Sequence, residues 1–285
     1  GASNTALGAN SLVANTTGAG NTALGFQALD ANTTAANVTG IGYNVLSANT
    51  TAANNTAVGS QAMAATTTGG YNTAIGNDSL KANTSGYENV AVGFNAMAAN
   101  TTGSPNVAMG KDALKTNTTG HNNVAIGYQS MYSNTTGNGR NTAVGAGSMY
   151  TNTTGYQNAA LGHNAMRANT TGYMNVGIGE TALDANTSGI ENTAIGFSSA
   201  GSNTTASYNV FNGAYAGNAN TTGANNVFVG ASSGRANTTG GTNTAVGHEA
   251  ALTNTTGTDV VAIGRQALKM NTTGANLAAL GNGAL

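Results

Sequence analysis

The amino-acid sequence predicts an all-β fold: a parallel β-solenoid (β-roll or β-helix) built of 17-residue rungs. Three observations lead there. A glycine recurs at fixed spacing, a short alternating strand precedes it, and charge is confined to a few columns of the repeat. The anchor glycines are Gly8, Gly25, Gly42, Gly59, Gly76, Gly93, Gly110, Gly127, Gly145, Gly162, Gly179, Gly196, Gly213, Gly230, Gly247, Gly264 and Gly281. Their spacing is 17 residues, except for 18 between Gly127 and Gly145. The extra residue falls in Gly137-Asn138-Gly139-Arg140, which is expected to be a turn that tolerates insertion. The consensus is N-T-A-[IVL]-G-x-x-A-[LM]-x-A-N-T-T-G-x-x. Self-similarity at such a period marks a stacked-repeat architecture.

The strand comes first in the repeat. A large aliphatic residue precedes each anchor glycine (Leu24, Ile41, Val58, Ile75, Val92, Ile126), and only Asn212 breaks that column. Two residues earlier stands Thr or Val, as in Thr22, Val90 and Val124. Strand residues two apart share a face, so these two columns are expected to form an apolar face turned inward. The small residue between them, such as Ala23 or Ala57, lies on the opposite face. A second interior column follows four residues after the glycine: Leu29, Leu46, Met63, Met97, Met131 and Met166. Charged residues occur only one, two or five residues after the anchor, or five before it, so those columns are expected to face water. A helix would carry Gly in every unit at up to ~1 kcal/mol each. Seventeen rungs stacked at about 4.8 Å would make a rod roughly 80 Å long. In two units Phe211 and Phe228 replace the small residue, while Gly217 and Gly234 replace the Leu/Met. This exchange of volume suggests that the two columns share an interior.

Composition narrows the function classes. The chain has 285 residues, of which 6% are charged, against about 25% in ordinary domains. A net charge of −1 offers no basic field for nucleic acid. The absence of cysteine rules out a disulfide framework and thiolate metal sites. No stretch approaches the ~20 apolar residues of a membrane helix, so no membrane insertion is expected. No signal peptide is visible, and the chain begins at Gly1 and stops inside the repeat pattern. Residues 1–285 therefore read as one continuous array of about 17 rungs, an excerpt of a longer fibre protein.

Each rung is expected to bury only two large side chains, a thin core. The alanine column lies opposite the β-branched face yet carries no charge, so another chain is expected to cover it. A parallel homotrimer is the preferred arrangement, with a lone solenoid as its rival.

The strand Asn123-Val124-Ala125-Ile126-Gly127 resembles the head repeats of YadA-type trimeric autotransporter adhesins. The fuller unit, Asn141-Thr142-Ala143-Val144-Gly145 through Asn152-Thr153-Thr154-Gly155, is similar to repeats of phage tail-fibre-like and bacterial surface fibre proteins. The resemblance covers the whole chain. It implies a trimeric left-handed β-roll acting in attachment or as a shaft, at a cell or virion surface, with a cell-surface receptor as a possible partner. The adhesin-head unit is shorter than 17 residues, so the Asn-Thr-Thr turn here is additional.

Two asparagine columns run along the repeat. The one before the strand (Asn4, Asn21, Asn55, Asn72, Asn89 and their successors, interrupted by Val38, Val260 and Leu277) reads as a stacked amide ladder. The second is Asn15, Asn32, Asn49, Asn83, Asn100, Asn117, Asn134, Asn152, Asn169, Asn186, Asn203, Asn220, Asn237, Asn254 and Asn271, with Thr66 in the missing slot. Every member is formally an N-x-[ST] glycosylation acceptor, so covalent glycans along this stripe are one reading. The other is a turn motif closed by a left-handed glycine, as at Gly86 and Gly120.

No constellation for catalysis stands out, and an enzyme is not expected. His121, His163 and His248 sit in separate units without partners at ligand spacing. Ser79, Ser130 and Ser148 replace Ala in a packed column. No phosphate loop, calcium nonapeptide or repeated carboxylate pair is present, so no metal or cofactor is expected. The expected role is the structural or adhesive shaft of an extracellular fibre. An ice-binding solenoid is one alternative, if Asn and the second Thr of each Asn-Thr-Thr point the same way. A glycan-binding one is another, if aromatics such as Phe26, Tyr43, Phe94, Tyr128 and Phe197 form a platform, although their irregular placement favours ordinary surface residues.

Overall fold

The computed structural model describes residues 1–136 and 139–285. Of the expected insertion turn, Gly137 and Asn138 lie outside the described residues. The chain forms two compact units, Gly1–Arg140 and Asn141–Leu285. Each is a parallel β-solenoid, and the described residues include no helix.

In the first unit the strands are β1 (Thr5–Leu7), β2 (Thr22–Leu24), β3 (Thr39–Ile41), β4 (Thr56–Val58), β5 (Thr73–Ile75), β6 (Val90–Val92), β7 (Asn106–Met109) and β8 (Asn123–Ile126). Each pairs in parallel with the next, with residues one period apart as partners: Ala74 faces Ala91 and Ile75 faces Val92. The second unit holds β9 (Thr142–Val144), β10 (Ala159–Leu161), β11 (Val176–Ile178), β12 (Thr193–Ile195), β13 (Val210–Asn212), β14 (Val227–Val229), β15 (Thr244–Val246), β16 (Val261–Ile263) and β17 (Ala278–Leu280). Its register is the same, with Thr193 opposite Val210 and Ala194 opposite Phe211.

Two tight turns follow each strand. In the second rung Ala28 N–H donates to Gly25 O (3.4 Å) and Asn32 N–H to Leu29 O (3.2 Å). The remaining backbone donors reach neighbouring rungs, as Leu29 N–H does to Val45 O (3.0 Å) and Gly25 N–H to Leu7 O (2.8 Å). The turns place non-glycine residues in the left-handed region in every rung: Gln27 at φ 52° and Leu29 at φ 54° are representative. Such a conformation costs roughly 1–2 kcal/mol per residue, which the rung-to-rung bonds and the burial of the Leu/Met side chain offset. The anchor glycine has a stricter reason. Gly93 has φ 135°, and a Cβ there would sit 2.6 Å from the carbonyl oxygen of Gly110 in the next rung. No side chain fits that approach, so glycine recurs at every rung.

The interior differs from the sequence expectation on one point. The Leu/Met column is fully buried, as at Leu29, Met63, Met97, Met131 and Met166. The partner lining it is the small middle residue of the strand: Ala57, Ala74, Ala91 and Ala125 are all at 0% exposure. The aliphatic column expected to face in instead faces out, with Leu24, Ile75 and Ile126 exposed and Ile41, Val58 and Val92 half-buried. The cause is the width of the coil. A Cβ placed on Gly40, at the middle strand position, would already lie 3.2 Å from Leu29 Cγ and 3.2 Å from Val45 Cγ1. Only Ala or Gly fits opposite a Leu or Met, and each rung buries one large side chain where two were expected. No second chain is needed to cover the alanine column.

The two exceptional rungs follow the same volume rule. Phe211 and Phe228 are fully buried and stack with ring centroids 5.1 Å apart. A Cβ on Gly217 would come within 2.8 Å of the Phe211 ring, and one on Gly234 within 2.5 Å of the Phe228 ring. The columns share one interior, as the exchange of volume suggested.

Candidate functional site

Three features of each rung could carry function: the two asparagine ladders, the outward strand face and the charged, aromatic corner after the anchor glycine.

The first ladder is a hydrogen-bond relay. Asn89 N–H donates to Asn72 Oδ1 (2.9 Å), and Asn89 Nδ2 donates to Asn72 Oδ1 (3.2 Å) and to Gly103 O (2.9 Å). Asn175 repeats the pattern on Asn158 and Gly189 in the second unit. The interruption at Val38 keeps half of it, because Val38 N–H still donates to Asn21 Oδ1 (3.0 Å).

The second ladder holds the fifteen candidate glycosylation asparagines. All but Asn15 and Asn271 are buried. Their amide nitrogens, the atoms a glycan would occupy, point along the ladder. Asn100 Nδ2 donates to Asn83 Oδ1 (3.0 Å), Asn117 Nδ2 to Asn100 Oδ1 (2.9 Å), and Asn186 Nδ2 to Asn169 Oδ1 (2.9 Å). Both hydrogens of each of these amides are engaged, the second on a glycine carbonyl such as Gly103 O. A sugar on a buried member would displace a hydrogen bond and find no space in the folded coil. The turn reading holds with one correction: Gly86 and Gly120 are not left-handed. Glycine is the usual residue there, since a Cβ on Gly86 would collide with Asn83 Oδ1, but Ala35, Ala52 and Ala206 fill the same slot in three other rungs.

The break at Thr66 has a cost. Asn49 Oδ1 and Thr66 Oγ1 are both buried without a hydrogen-bond partner. Elsewhere the first Thr of each Asn-Thr-Thr donates to the next rung, as Thr84 Oγ1 does to Thr101 O (3.1 Å), and the second Thr is exposed. Asn and the second Thr therefore do not point the same way, and the repeated polar pair needed for ice binding is not presented.

The charged columns lie at the surface, as expected, with one departure. Asp112 is buried to 6% exposure, where Asn95 Nδ2 donates to its Oδ1 (3.2 Å) and Lys115 Nζ lies 3.1 Å from the same atom. The hydrogen bond to Asp112 raises the Lys115 ammonium above the ordinary lysine range. Burial pushes the Asp184 carboxyl up, against the opposing field of Arg167. Glu249 is held below the usual carboxylate range, first by Lys269, whose Nζ donates over 2.7 Å, and next by Gln266. Ser79 is buried and its hydroxyl donates to Gly76 O (2.9 Å), so it is a packed serine. His121 Nδ1 meets the Ser104 backbone and His163 lies 3.6 Å from Glu180 Oε1. Among the described residues no group of three His, Asp or Glu side chains could hold a metal ion, and no helix is long and apolar enough to cross a membrane.

Sequence reasoning missed that aromatics in equivalent positions meet between rungs. Phe26 and Tyr43, just after their anchor glycines, stack with centroids 5.6 Å apart, and in a separate column six residues before the anchor Tyr156 and Tyr173 stack at 4.8 Å. Lys111 Nζ lies 5.9 Å from the ring centroids of both Phe94 and Tyr128. The signal was present: all of these pairs occupy matching columns one or two periods apart.

No protein-family model matches the chain, and no curated protein sequence matches it.

Proposed function

We propose that this chain is a shaft segment of an extracellular fibre, assembled from parallel copies that meet through their outward strand faces. The single observation that carries this reading is that face. Its two columns, Thr/Val and Leu/Ile/Val/Met, are apolar or hydroxyl-bearing nearly throughout, hold no charged residue, and stay substantially exposed: Met109 at 42% and Ile126 at 37%, for instance. A regular apolar surface of this kind is uncommon on a protein that works alone. Its spacing equals the rung spacing, so the partner of matching period is another copy of the same chain. Parallel trimerisation, expected first from the alanine column, is thus re-argued from the opposite face. The resemblance to trimeric adhesin and fibre repeats supports the same reading and favours a cell or virion surface.

The test is native against denatured mass of the intact chain, with Val124→Lys and Ile126→Lys as variants. A native mass three times the denatured one, lost in both variants while each stays folded, supports the shaft. A native mass equal to one chain removes it.

A further inference from the structure

We propose that Phe94, Lys111 and Tyr128, on three successive rungs of the first unit, form a binding site for a carboxylated pyranose, a hexuronate or a sialate. The site is separate from the strand face and does not depend on self-association.

The argument begins with Lys111. Its side chain is exposed, and among the described residues no carboxylate lies within ion-pair distance of it. Lys81, Lys115 and Lys269 are all paired with acids, at 3.0, 3.1 and 2.7 Å. Lys111 is held instead by two aromatic rings, one rung below and one above, each 5.9 Å from Nζ. Two such contacts limit the wandering of a long side chain and leave its charge uncompensated. The rings stay open, with Phe94 at 47% and Tyr128 at 51% exposure. Two rungs separate them, about 9.6 Å at the usual strand spacing.

This combination selects the ligand class. An ammonium without a counter-ion takes a carboxylate by a charge-assisted hydrogen bond. Exposed aromatic surface on either side takes the C–H face of a pyranose. Hydroxyl recognition has a candidate in Gln129, beside Tyr128, whose amide makes no side-chain hydrogen bond among the described residues. Lys115, 5.5 Å from the Tyr132 ring, is neutralised by Asp112 and leaves Lys111 as the free cation of this corner among the described residues. One unpaired lysine provides too little charge for a nucleic acid strand, whose binding needs many phosphate contacts.

The experiment uses the full chain and four probes: tetragalacturonate, 3′-sialyllactose, cellotetraose and lactose. Binding is read by saturation-transfer NMR and titration. At least one acidic probe is expected to bind, more weakly as salt rises, and the neutral probes are expected not to. Which acidic probe wins distinguishes uronate from sialate. Lys111→Gln should weaken binding about tenfold or more, and Phe94→Ala and Tyr128→Ala should also weaken it. Lys81→Gln and Tyr71→Ala, at an already paired lysine and an exposed tyrosine elsewhere, should bind like the parent. The substituted side chains are exposed, so unchanged melting separates lost binding from lost fold. No binding of either acidic probe, equal binding of neutral and acidic probes, or full binding by Lys111→Gln would each overturn the proposal.

Discussion

Thr66 shows how much of this fold rests on single polar atoms. In every other rung of the second ladder an amide stands at its position; here a hydroxyl does, and two buried acceptors are left without donors. A buried unsatisfied polar group costs about 1–3 kcal/mol. Thr66→Asn supplies an Nδ2 for Asn49 and an Oδ1 for Asn83, so it should stabilise the first unit by about 1–2 kcal/mol. The readout is a higher denaturation midpoint. Gly93 sits at the other extreme. Gly93→Ala meets both a left-handed φ of 135° and the Gly110 carbonyl, and should destabilise by at least about 2 kcal/mol. The interior obeys the same arithmetic of volume. Phe211→Ala should cost about 3–5 kcal/mol through the space it leaves. Adding Gly217→Leu should recover most of that, because Leu occupies the equivalent position at Leu29 with φ 54°. A double-mutant cycle on these two positions checks the coupling.

At the scale of the rung, much was legible in the sequence. The period, the anchor glycine, the buried Leu/Met column and the asparagine ladders could all be read from columns alone. The orientation of the strand could not be read from alternation, which yields two faces without saying which is inner. Size made the aliphatic face look internal, but the coil is too narrow for it. The Phe211/Gly217 exchange already held the answer: a residue that trades volume with the Leu/Met column must share its side of the sheet. The left-handed turns at Leu29 and Met63 were hidden because neither residue favours that conformation. Of the candidate site residues, the asparagines were identified correctly as a column, while their burial emerges only from the packing. Contacts between rungs also set the pH response. Glu249, held by Lys269 and Gln266, has a folded pKa below its ordinary value. The unfolded chain therefore binds its proton first as pH falls, and the stability this carboxylate adds at neutral pH is lost as pH drops through the folded value. Glu249→Gln should flatten the acid side of a stability profile taken between about pH 3 and pH 7.

At the scale of the whole chain, sparse charge and an apolar strand face are the grounds on which self-association is proposed. The buried amide nitrogens of the second ladder predict a denatured mass equal to that calculated from the sequence; added hexose steps on these asparagines would contradict this packing. Within each unit the hydrogen bonds lie inside a rung or reach the adjacent one, so a rung senses only its neighbours. That locality makes length a heritable variable. Removing residues 43–59, one full period of 17, joins Gly42 to Ser60 and preserves every column, whereas removing one residue fewer shifts all that follow. The first deletion should melt close to the parent and the second well below it. A gene encoding such near-identical units can gain or lose whole copies by unequal recombination, and each product keeps every column in register, so a lineage can change the number of rungs without redesigning a single contact.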